Sequence, residues 1–159
     1  MGCDMKTSVD LLEELHEILE KKFRGRMQEF LLPPPVFLAM QGELIKMDLQ
    51  AGILEARFPV LDSYLNPYRA MQGGMIAAAV DNTLGPLSIA VAPPNVTRRL
   101  EMKYSRPVTM DMEFIHVQAR LVERNDPQLI FEARVTSPQG NRLATCKAVH
   151  WIIPGENNV

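Results

Sequence analysis

Residues 66–91, NPYRAMQGGMIAAAVDNTLGPLSIAV, are the stretch from which the fold of this chain can be predicted. A residue before proline prefers an extended conformation, so Asn66 is predicted to lie in a loop. Residues 75–80 form an apolar run without a polar face. A helix that is apolar on all sides is typical of a protein core. The sequence therefore predicts a buried central helix that begins near Gln72 or Gly73.

Two features of this helix indicate a functional site. Asp81 is the one charged residue among residues 73–91. Burying an unpaired carboxylate is costly, so we expect Asp81 to have a partner or a catalytic role. At the helix start, backbone N–H groups around Gly73 and Gly74 lack acceptors within the helix. Together with the helix dipole, these groups suit an anion or a developing oxyanion.

This stretch resembles the hotdog-fold acyl-CoA thioesterases of the phenylacetate-pathway type. Their pattern is N-x-x-G-x-x-H-G-G, followed by an Asp nine residues after the His. The positions that match are Asn66, Gly73, Gly74 and Asp81. Two positions depart from the pattern, because Arg69 replaces the first Gly and Gln72 replaces the His. A weaker similarity covers residues 36–153, in the order strand, strand, helix and four strands.

The resemblance implies an α+β hotdog fold, in which an antiparallel sheet of about six strands wraps around one central apolar helix. Residues 1–159 are expected to form a single domain, with a core at residues 36–153 and an extra N-terminal helix at residues 8–24. The resemblance also implies an acyl-CoA substrate and a homodimer, or a tetramer built as a dimer of dimers. It implies no cofactor and no metal.

The matching positions carry implied roles. In the resembling family, the residue at the position of Asp81 acts as general base on water or as nucleophile on the thioester carbonyl. Backbone N–H groups of Gly73 and Gly74 would hold the thioester oxygen, and one such donor is worth ~3–4 kcal/mol in the transition state. The alternatives are structural: a hydrogen-bonded Asp, and glycines that let helix and sheet approach closely.

Gln72 and Asn66 leave more than one interpretation open. The Gln72 amide can donate a hydrogen bond to a carbonyl as a neutral His can, but it cannot take up a proton at neutral pH. If the family His only orients substrate, Gln72 can replace it; if the His shuttles protons, this protein would be slow or inactive. Asn66 fits a turn before proline as well as a site for water or the carbonyl.

Further candidates lie outside the helix start. Thr97 stands ten residues before Pro107, where the family often has a Ser or Thr that positions the attacking water. A strand Thr is also explained by propensity alone. Arg98 and Arg99 fit either contacts to the phosphates of coenzyme A or a solvated strand face. The apolar residues expected in the pocket wall are Met71, Met75 and Ile76.

The three histidines are not expected to carry chemistry. His16 falls among the polar positions of the predicted N-terminal helix. His116 and His150 lie on predicted strands, without a Cys, Ser or acidic partner at a meaningful spacing. We therefore interpret neither as a metal ligand or as a member of a catalytic triad, and the sequence contains no zinc or phosphate-loop motif.

Three functions compete on this evidence. The first is hydrolysis of an acyl-CoA thioester to a free acid and coenzyme A. The second is a non-catalytic acyl-CoA-binding hotdog domain, which Gln72 favours and Asp81 opposes, because pure binding gains little from a buried carboxylate. The third is a hotdog hydratase or dehydratase, which the absence of a His at position 72 disfavours.

Composition narrows the class of protein further. The chain has 159 residues, of which 47% are hydrophobic and 23% charged, and its net charge is −2. These values are ordinary for one globular domain, and no basic excess indicates a nucleic-acid partner. We expect no membrane span, because Asp81, Asn82 and Pro86 interrupt the one long apolar run. Cys3 and Cys146 lack metal or redox spacing and fit a reducing cytoplasm.

Other elements follow from periodicity and turn residues. Residues 8–24 form a predicted amphipathic helix, capped by Thr7 or Ser8 with Asp10 completing a capping box. Residues 33–35, Pro-Pro-Pro, are predicted to form a stiff extended connector. Gly85–Pro86 is expected to kink or end the central helix, with residues 87–91 adding a further turn or two. The predicted strands are residues 43–49, 53–60, 96–104, 112–124, 129–137 and 142–153.

Geometry predicts that the active site is shared between two subunits. Gly73 and Asp81 are eight residues apart, which is ~12 Å along a helix. A thioester carbonyl must lie within roughly 3 Å of both its oxyanion donor and its attacking group. One helix cannot satisfy both, whereas two antiparallel helices related by a two-fold axis can.

Overall fold

The computed structural model of the chain describes residues 6–154, so Cys3 lies outside the described residues. The helices are α1 (Ser8–Lys22), α2 (Pro35–Ala39) and α3 (Gly73–Val91), with short 3-10 turns at Met27–Glu29, Asp62–Tyr64 and Met110–Met112. The strands are β1 (Glu43–Asp48), β2 (Ile53–Pro59), β3 (Asn95–Tyr104), β4 (Phe114–Asn125), β5 (Gln128–Thr136) and β6 (Arg142–Ile152).

Within residues 6–154, six strands form one sheet in the order β1-β2-β4-β5-β6-β3. Every neighbouring pair is antiparallel. One long helix between β2 and β3 and one N-terminal helix complete the architecture. The predicted α+β hotdog fold is therefore confirmed. Each strand begins and ends within two residues of its predicted bounds, and β4 begins later than predicted because Met110–Met112 form a 3-10 turn.

Strict alternation of apolar side chains gives the sheet its inner face. In β2 every second side chain is buried, as expected from the two-residue period of a strand. These residues are paired in register with buried residues of β4: Leu54 with Ala119, Ala56 with Val117, and Phe58 with Ile115. α3 packs against β2, β3, β4 and β5, so the inner face of the sheet and the helix share one core.

α3 is buried on one side only. The residues of its buried face include Ile76, Ala79, Val80, Leu84 and Leu87. On the opposite side, Gly74 and Asp81 are exposed in the single chain. The prediction of a helix buried all round is therefore wrong for one chain, because the sheet covers only one face. Within the described residues, no other element covers the face that carries Gly74 and Asp81.

The central helix runs through Pro86 and ends at Val91, so it does not end where the sequence favoured a break. Pro86 lacks an N–H and cannot donate to the preceding turn. Leu87 and Ser88 after it are at most 2% exposed. Ser88 Oγ donates to the Gly85 carbonyl oxygen at 2.8 Å. Buried packing on both sides of the proline thus holds the helix together.

The expectation that no apolar run could cross a membrane needs one correction. α3, with 19 residues and a mean hydropathy of 1.3, is long and apolar enough to do so by length and composition alone. In the fold, 44% of that apolar window is buried. Packing against the sheet accounts for the apolar composition of the helix.

α1 begins with the predicted capping box. Thr7 Oγ1 accepts a hydrogen bond from the Asp10 backbone N–H at 3.2 Å, and the Thr7 N–H donates to Asp10 Oδ2 at 2.7 Å. The helix ends at Lys22, two residues before the predicted end. Its apolar face packs against β1 and α3; the buried residues are Leu11, Leu15 and Leu19.

The triple proline does not form a uniform extended connector. Pro35 is the first residue of α2, a position at which proline is favoured because its missing N–H has no helical acceptor. α2 buries Phe37, which is 1% exposed. The Phe37 ring lies edge-on to that of Phe58, with 5.7 Å between ring centroids. The short helix thus closes one end of the core.

Candidate functional site

Asp81 lies in the middle of α3, on the face that the sheet leaves open. Its side chain is exposed in the single chain. The expectation of a buried carboxylate is therefore wrong for the single chain. Asp81 Oδ1 accepts a hydrogen bond from Thr97 Oγ1 at 3.2 Å. The structure therefore brings together two residues that the sequence predicts for one site, although they stand sixteen positions apart.

His150 completes this group. It lies on β6 as the register partner of Thr97 on β3, and its Nε2 is 3.3 Å from Thr97 Oγ1. The His150 side chain is almost fully buried, at 1% exposure. The sequence interpretation gives His150 no role, and it does not anticipate this contact with Thr97. Asp81, Thr97 and His150 form one hydrogen-bonded cluster, which we call the Asp-Thr-His group.

Asn95 determines which nitrogen of His150 carries the hydrogen. Asn95 Nδ2 donates to the carbonyl oxygens of Ser88 and Pro93 at 3.2 and 2.8 Å. Its Oδ1 is therefore the atom that faces His150 Nδ1, at 2.9 Å. Since an amide oxygen only accepts, Nδ1 must carry the hydrogen. In the neutral ring, Nε2 is then an acceptor that points at Thr97.

The environment favours the neutral form of His150. Burial lowers the pKa of His150 below its usual value of 6.5, while the nearby Asp81 charge raises it and opposes part of the shift. Desolvation disfavours a charged imidazole. At neutral pH the ring is therefore uncharged, with its acceptor nitrogen towards Thr97.

Thr97 has one hydroxyl hydrogen and two neighbours able to accept it. When His150 is neutral, the hydroxyl can donate to Nε2, and its oxygen is then free to accept a hydrogen bond. When His150 is protonated, Nε2–H donates to Thr97, which in turn donates to Asp81. Protonation of His150 thus removes one of the two acceptors and leaves Asp81 to accept the Thr97 hydrogen.

A β-bulge shapes this end of β3. The register with β6 shifts between Thr97 and Arg99, and bulges of this kind re-aim side chains next to functional sites. Arg98 and Arg99 are exposed, and Arg99 forms an ion pair with Glu101. Neither arginine lines the cleft that contains Asp81, so their contact with phosphates stays a prediction.

The Asp-Thr-His group opens into a cleft of about 400 Å³. This volume lies in the range of small-molecule sites, which is roughly 300–1,000 Å³. The three polar side chains form one end of the cleft. Its other walls come from the segment before α2 and from the second half of α3, and their composition is mainly apolar.

The start of α3 is accessible, as an oxyanion site requires. Gln72 is the N-cap residue, and its exposed side chain does not cap the helix. Gly74 is exposed, and Met75 is half-buried. The Gly73 carbonyl oxygen accepts a hydrogen bond from Tyr104 Oη at 2.7 Å. A Cβ on Gly73 would lie 3.2 Å from the Tyr104 ring, so glycine permits this close approach.

Gly73 and Asp81 are not brought together within one chain. Both lie on the same continuous helix, and their separation in sequence corresponds to ~12 Å along its axis. The single chain therefore holds the candidate base Asp81 with its hydrogen-bond partners at one point and the candidate oxyanion donors more than two turns away.

The loop before α3 explains two positions of the family pattern. Asn66 Oδ1 accepts hydrogen bonds from the backbone N–H groups of Tyr68 and Ala70, at 2.9 and 3.2 Å. Its oxygen therefore holds the turn, while Nδ2 is the atom left for a ligand. Arg69, which replaces the family Gly, has a φ of 60°. Glycine adopts this left-handed conformation without steric cost, and other residues do so at ~1–2 kcal/mol.

Cys146 belongs to the core rather than to the site. It is 2% exposed, and burial raises the pKa of its thiol to about 11, so the thiol is protonated at neutral pH. Among residues 6–154, no group of three or more His, Cys, Asp and Glu side chains is arranged to hold a metal ion.

Solved structures resemble the fold along most of the chain. A phenylacetic acid degradation-related protein from Ralstonia eutropha JMP134, described as a candidate thioesterase, is 27% identical over 80% of this chain and 97% of its own, with a TM-score of 0.70. The Escherichia coli PaaI protein from the phenylacetic acid degradation operon is 14% identical over 92% of this chain and 98% of its own, with a TM-score of 0.72. The predicted resemblance to PaaI-type hotdog proteins is confirmed.

A third neighbour contains a ligand. A hypothetical thioesterase from Streptococcus pneumoniae TIGR4, solved with coenzyme A, is 18% identical over 80% of this chain and 96% of its own, with a TM-score of 0.69. Two structures of a hypothetical thioesterase from the same strain carry an Asp→Ala and a Thr→Ala substitution, at positions sixteen residues apart. No family model matches this chain, and no curated protein matches it by sequence.

Proposed function

We propose that this hotdog-fold protein is an acyl-CoA thioesterase, which hydrolyses an acyl-CoA thioester to a free acid and coenzyme A. The observation that carries the proposal is the Asp-Thr-His group at the end of a cleft, with a carboxylate, a hydroxyl and a buried neutral imidazole in contact. Neighbours named as thioesterases, one of them solved with coenzyme A, support it. The sixteen-residue spacing of Asp81 and Thr97 equals that of the two substituted positions in the S. pneumoniae protein.

The Asp-Thr-His group would orient the attacking water. With His150 neutral, the Thr97 hydroxyl hydrogen can turn from Asp81 to Nε2, and the hydroxyl oxygen then accepts a hydrogen bond from water. Asp81 accepts the other hydrogen of the same water. Both hydrogens are then held, and a lone pair of the water oxygen points at the thioester carbon. This arrangement favours Asp81 as general base on water over direct nucleophilic attack by its carboxylate.

The chemical step conserves protons. The water oxygen bonds to the carbonyl carbon while a proton moves to Asp81, and the carbonyl oxygen becomes an oxyanion. When the tetrahedral intermediate collapses, the carbon–sulfur bond breaks, and the Asp81 carboxylic acid returns its proton to the leaving sulfur. Backbone N–H groups at Gly73 and Gly74 and the Gln72 amide would hold the oxyanion, through charge-assisted hydrogen bonds.

The donors at position 73 and the base at position 81 are proposed to come from different subunits. β3 is an edge strand of ten residues whose outer side has no strand neighbour within residues 6–154. Unpaired edges of this length favour pairing with another strand. Gly74 and Ala78, on the open side of α3, would let a second helix approach closely. A two-fold dimer formed in this way contains two complete sites, and a tetramer would pair two such dimers.

Gln72 leaves one alternative to the proposed hydrolytic function open. A domain that binds acyl-CoA without hydrolysing it would also use the cleft and the helix start, and it would not need a proton-transferring residue at position 72. The two functions differ in one observable, which is release of the free thiol of coenzyme A.

The test is to incubate the purified protein with acetyl-, hexanoyl-, octanoyl-, phenylacetyl- and succinyl-CoA and to follow free thiol. Affinity for the same compounds is measured by calorimetry. Thiol release above the buffer rate with at least one substrate is the expected result. Binding of acyl-CoA without thiol release would establish the non-catalytic alternative and contradict the proposal.

A further inference from the structure

The cleft that begins at Asp81 continues along an apolar wall. Residues 30–32, Phe-Leu-Leu, line one side, and Pro86 and Ile89 of α3 line the other. Leu31 is 73% exposed although it faces this cleft. An exposed Leu alone is ordinary, but here it lies beside other apolar side chains that border a polar catalytic group. A ligand in the cleft would cover it.

Gly85 leaves open space beside the base. Glycine is the poorest helix former after proline, and a Cβ at Gly85 would meet no atom within 4 Å. Packing within the described chain therefore does not require glycine at this position. Gly85 is one turn after Asp81, on the same face of α3, and it lines the same cleft. The missing side chain leaves room for a group attached to the reacting carbonyl.

The charges of the cleft limit what can enter it. Asp81 is the one ionised side chain among its lining residues, all of which lie in the described part of the chain. His150 is neutral at pH 7 for the reason given above. An acyl group with a second carboxylate would be repelled by Asp81 and would meet no cation in compensation. An uncharged group meets neither penalty.

The apolar surface extends beyond the cleft. Leu32, Pro34 and Pro86 line both the cleft and a cavity of about 40 Å³ beneath α1. The other residues of this cavity include Leu12, Leu15 and Leu19. Apolar side chains thus continue from the Asp-Thr-His group to the N-terminal helix, and the cleft of about 400 Å³ has room for more than a two-carbon acyl group.

We propose that residues 30–32 and Pro34, together with Gly85, Pro86 and Ile89, form an acyl subsite that takes an uncharged, apolar acyl group larger than acetyl. The N-terminal segment before α2 is then a specificity element rather than only a packing element. This inference rests on the proposed thioesterase function, because the acyl group is placed by the reaction at Asp81.

The first test fills the space at position 85. Gly85→Leu introduces a good helix former at a position where the added Cβ meets no atom within 4 Å, and Gly85→Ala is the matched smaller change. One methylene in an apolar pocket changes specificity by about 10-fold or more, so we expect Gly85→Leu to lower the ratio of kcat/KM for octanoyl-CoA over acetyl-CoA by at least about tenfold. Gly85→Ala should lower it less. The parent should prefer octanoyl-CoA to succinyl-CoA.

The second test changes the opposite wall. Leu31→Ser should raise KM for octanoyl-CoA several-fold, whereas its effect on acetyl-CoA should be smaller. Leu38→Ser is the control, because Leu38 is also largely exposed, at 57%, and does not line the cleft. It should leave both substrates unchanged.

The outcomes separate the subsite from the function. If the parent releases thiol from no acyl-CoA, the proposed function fails, and calorimetry of octanoyl-CoA binding to the parent and to Gly85→Leu then decides the subsite alone. If thiol is released but both variants keep the parent's chain-length preference, the subsite is wrong and the function stands. A third outcome is that light scattering shows a change in the oligomeric state of Gly85→Leu and that kcat/KM falls equally for all substrates. The space at position 85 would then belong to a partner helix, and the subsite would be wrong.

Discussion

A single buried imidazole determines how Asp81 is hydrogen-bonded. The bond from His150 Nδ1 to Asn95 leaves Nε2 as an acceptor, and Thr97 is its nearest polar neighbour. In the neutral state Nε2 and Asp81 Oδ1 compete for the one Thr97 hydrogen, and when the hydrogen turns to Nε2, both Thr97 and Asp81 can accept from water. In the protonated state, Thr97 donates to Asp81 instead and competes with that water.

Acid should therefore inactivate the enzyme through His150. Its pKa is lowered by burial, so kcat/KM should be at its plateau above pH 6.5 and fall as the pH drops towards the pKa of the folded state. His150→Gln should be about tenfold slower at pH 7 and should lose this acid limb. His116→Gln is the control, since burial also lowers the pKa of His116 but it lies outside the cleft. An unchanged acid limb in His150→Gln would contradict the assignment.

The lowered pKa of His150 also makes the free energy of unfolding depend on pH. The unfolded chain takes up the His150 proton near pH 6.5, and the folded chain takes it up only at lower pH. Below pH 6.5 the unfolded state thus binds more protons, so the free energy of unfolding falls as pH falls. Chemical denaturation between pH 5 and pH 7 should show a weaker fall for His150→Gln than for the parent.

Gln72 should act as a hydrogen-bond donor and not as a proton carrier. Its side chain is exposed at the start of α3 and makes no capping bond. Gln72→Ala should lower kcat by about 10²–10³-fold through loss of one donor, and Gln72→His should keep or raise it. A Gln72→Ala protein as fast as the parent would mean that this side chain does not contact the substrate.

Sequence reasoning finds some of these residues and misses others for identifiable reasons. Asp81 and Thr97 can be singled out because they stand at positions that carry roles in the family that the sequence resembles. His150 cannot, because it stands fifty-three positions from Thr97 and only the pairing of β3 with β6 places them opposite. The exposure of Asp81 is also missed, because periodicity shows that a helix is apolar but not how many of its sides the sheet covers.

α1 supports the end of α3 through one side chain. Lys22 Nζ donates to the carbonyl oxygens of Ile89, Ala90 and Ala92, at 2.6, 3.3 and 2.5 Å. These groups lie at the helix C-terminus, where carbonyls lack helical partners and a cation is favourable. Burial lowers the pKa of Lys22 to about 8, with a smaller contribution from the nearby Arg124, so the ammonium still predominates at pH 7.

Lys22→Met should therefore lower the free energy of unfolding by about 1–2 kcal/mol, since it keeps most of the apolar stem and removes the cap. Lys21→Met is the matched control, because Lys21 is exposed, and it should change stability by less than about 0.5 kcal/mol. Urea denaturation measures both. Equal effects of the two substitutions would show that the Lys22 contacts do not stabilise α3.

Elements with strong periodicity could be predicted well, and elements set by packing could not. The alternation in β2 and β4 and the leucine stripe of α1 each gave a correct element. Pro86 suggests a helix end by local propensity, yet buried residues on both sides of it override that preference. Pro35 starts a helix for a similar reason, because Phe37 gains a buried position against Phe58.

At the scale of the whole molecule, the chain contains the parts of an active site but separates them along one helix. The edge strand β3 and the central helix α3 meet at the Asp-Thr-His group, where Thr97 of β3 contacts Asp81 of α3. In the proposed dimer, a second copy that pairs along β3 would bring its own helix start to Asp81. Such a dimer would cover both the outer edge of β3 and the open side of α3.

Mixed dimers should therefore recover activity. Asp81→Asn removes the base, and Gly73→Pro removes one N–H donor at a position where a helix tolerates proline. After both variants are shown to fold, unfolding and refolding them together should restore up to one working site in each mixed dimer. Refolding each variant alone is the control. A mixture that stays inactive although mixed dimers form would contradict the shared site.

The central claim is that Asp81 activates water for thioester hydrolysis, and one comparison tests it most directly. Asp81→Asn is nearly isosteric and removes the base, so thiol release from octanoyl-CoA should fall by about 10²–10⁴-fold while the thermal midpoint is kept. Glu20→Gln, an equivalent exchange at an exposed position of α1, should change neither quantity. An Asp81→Asn protein that folds as the parent does and still turns over at the parental rate would contradict the claim.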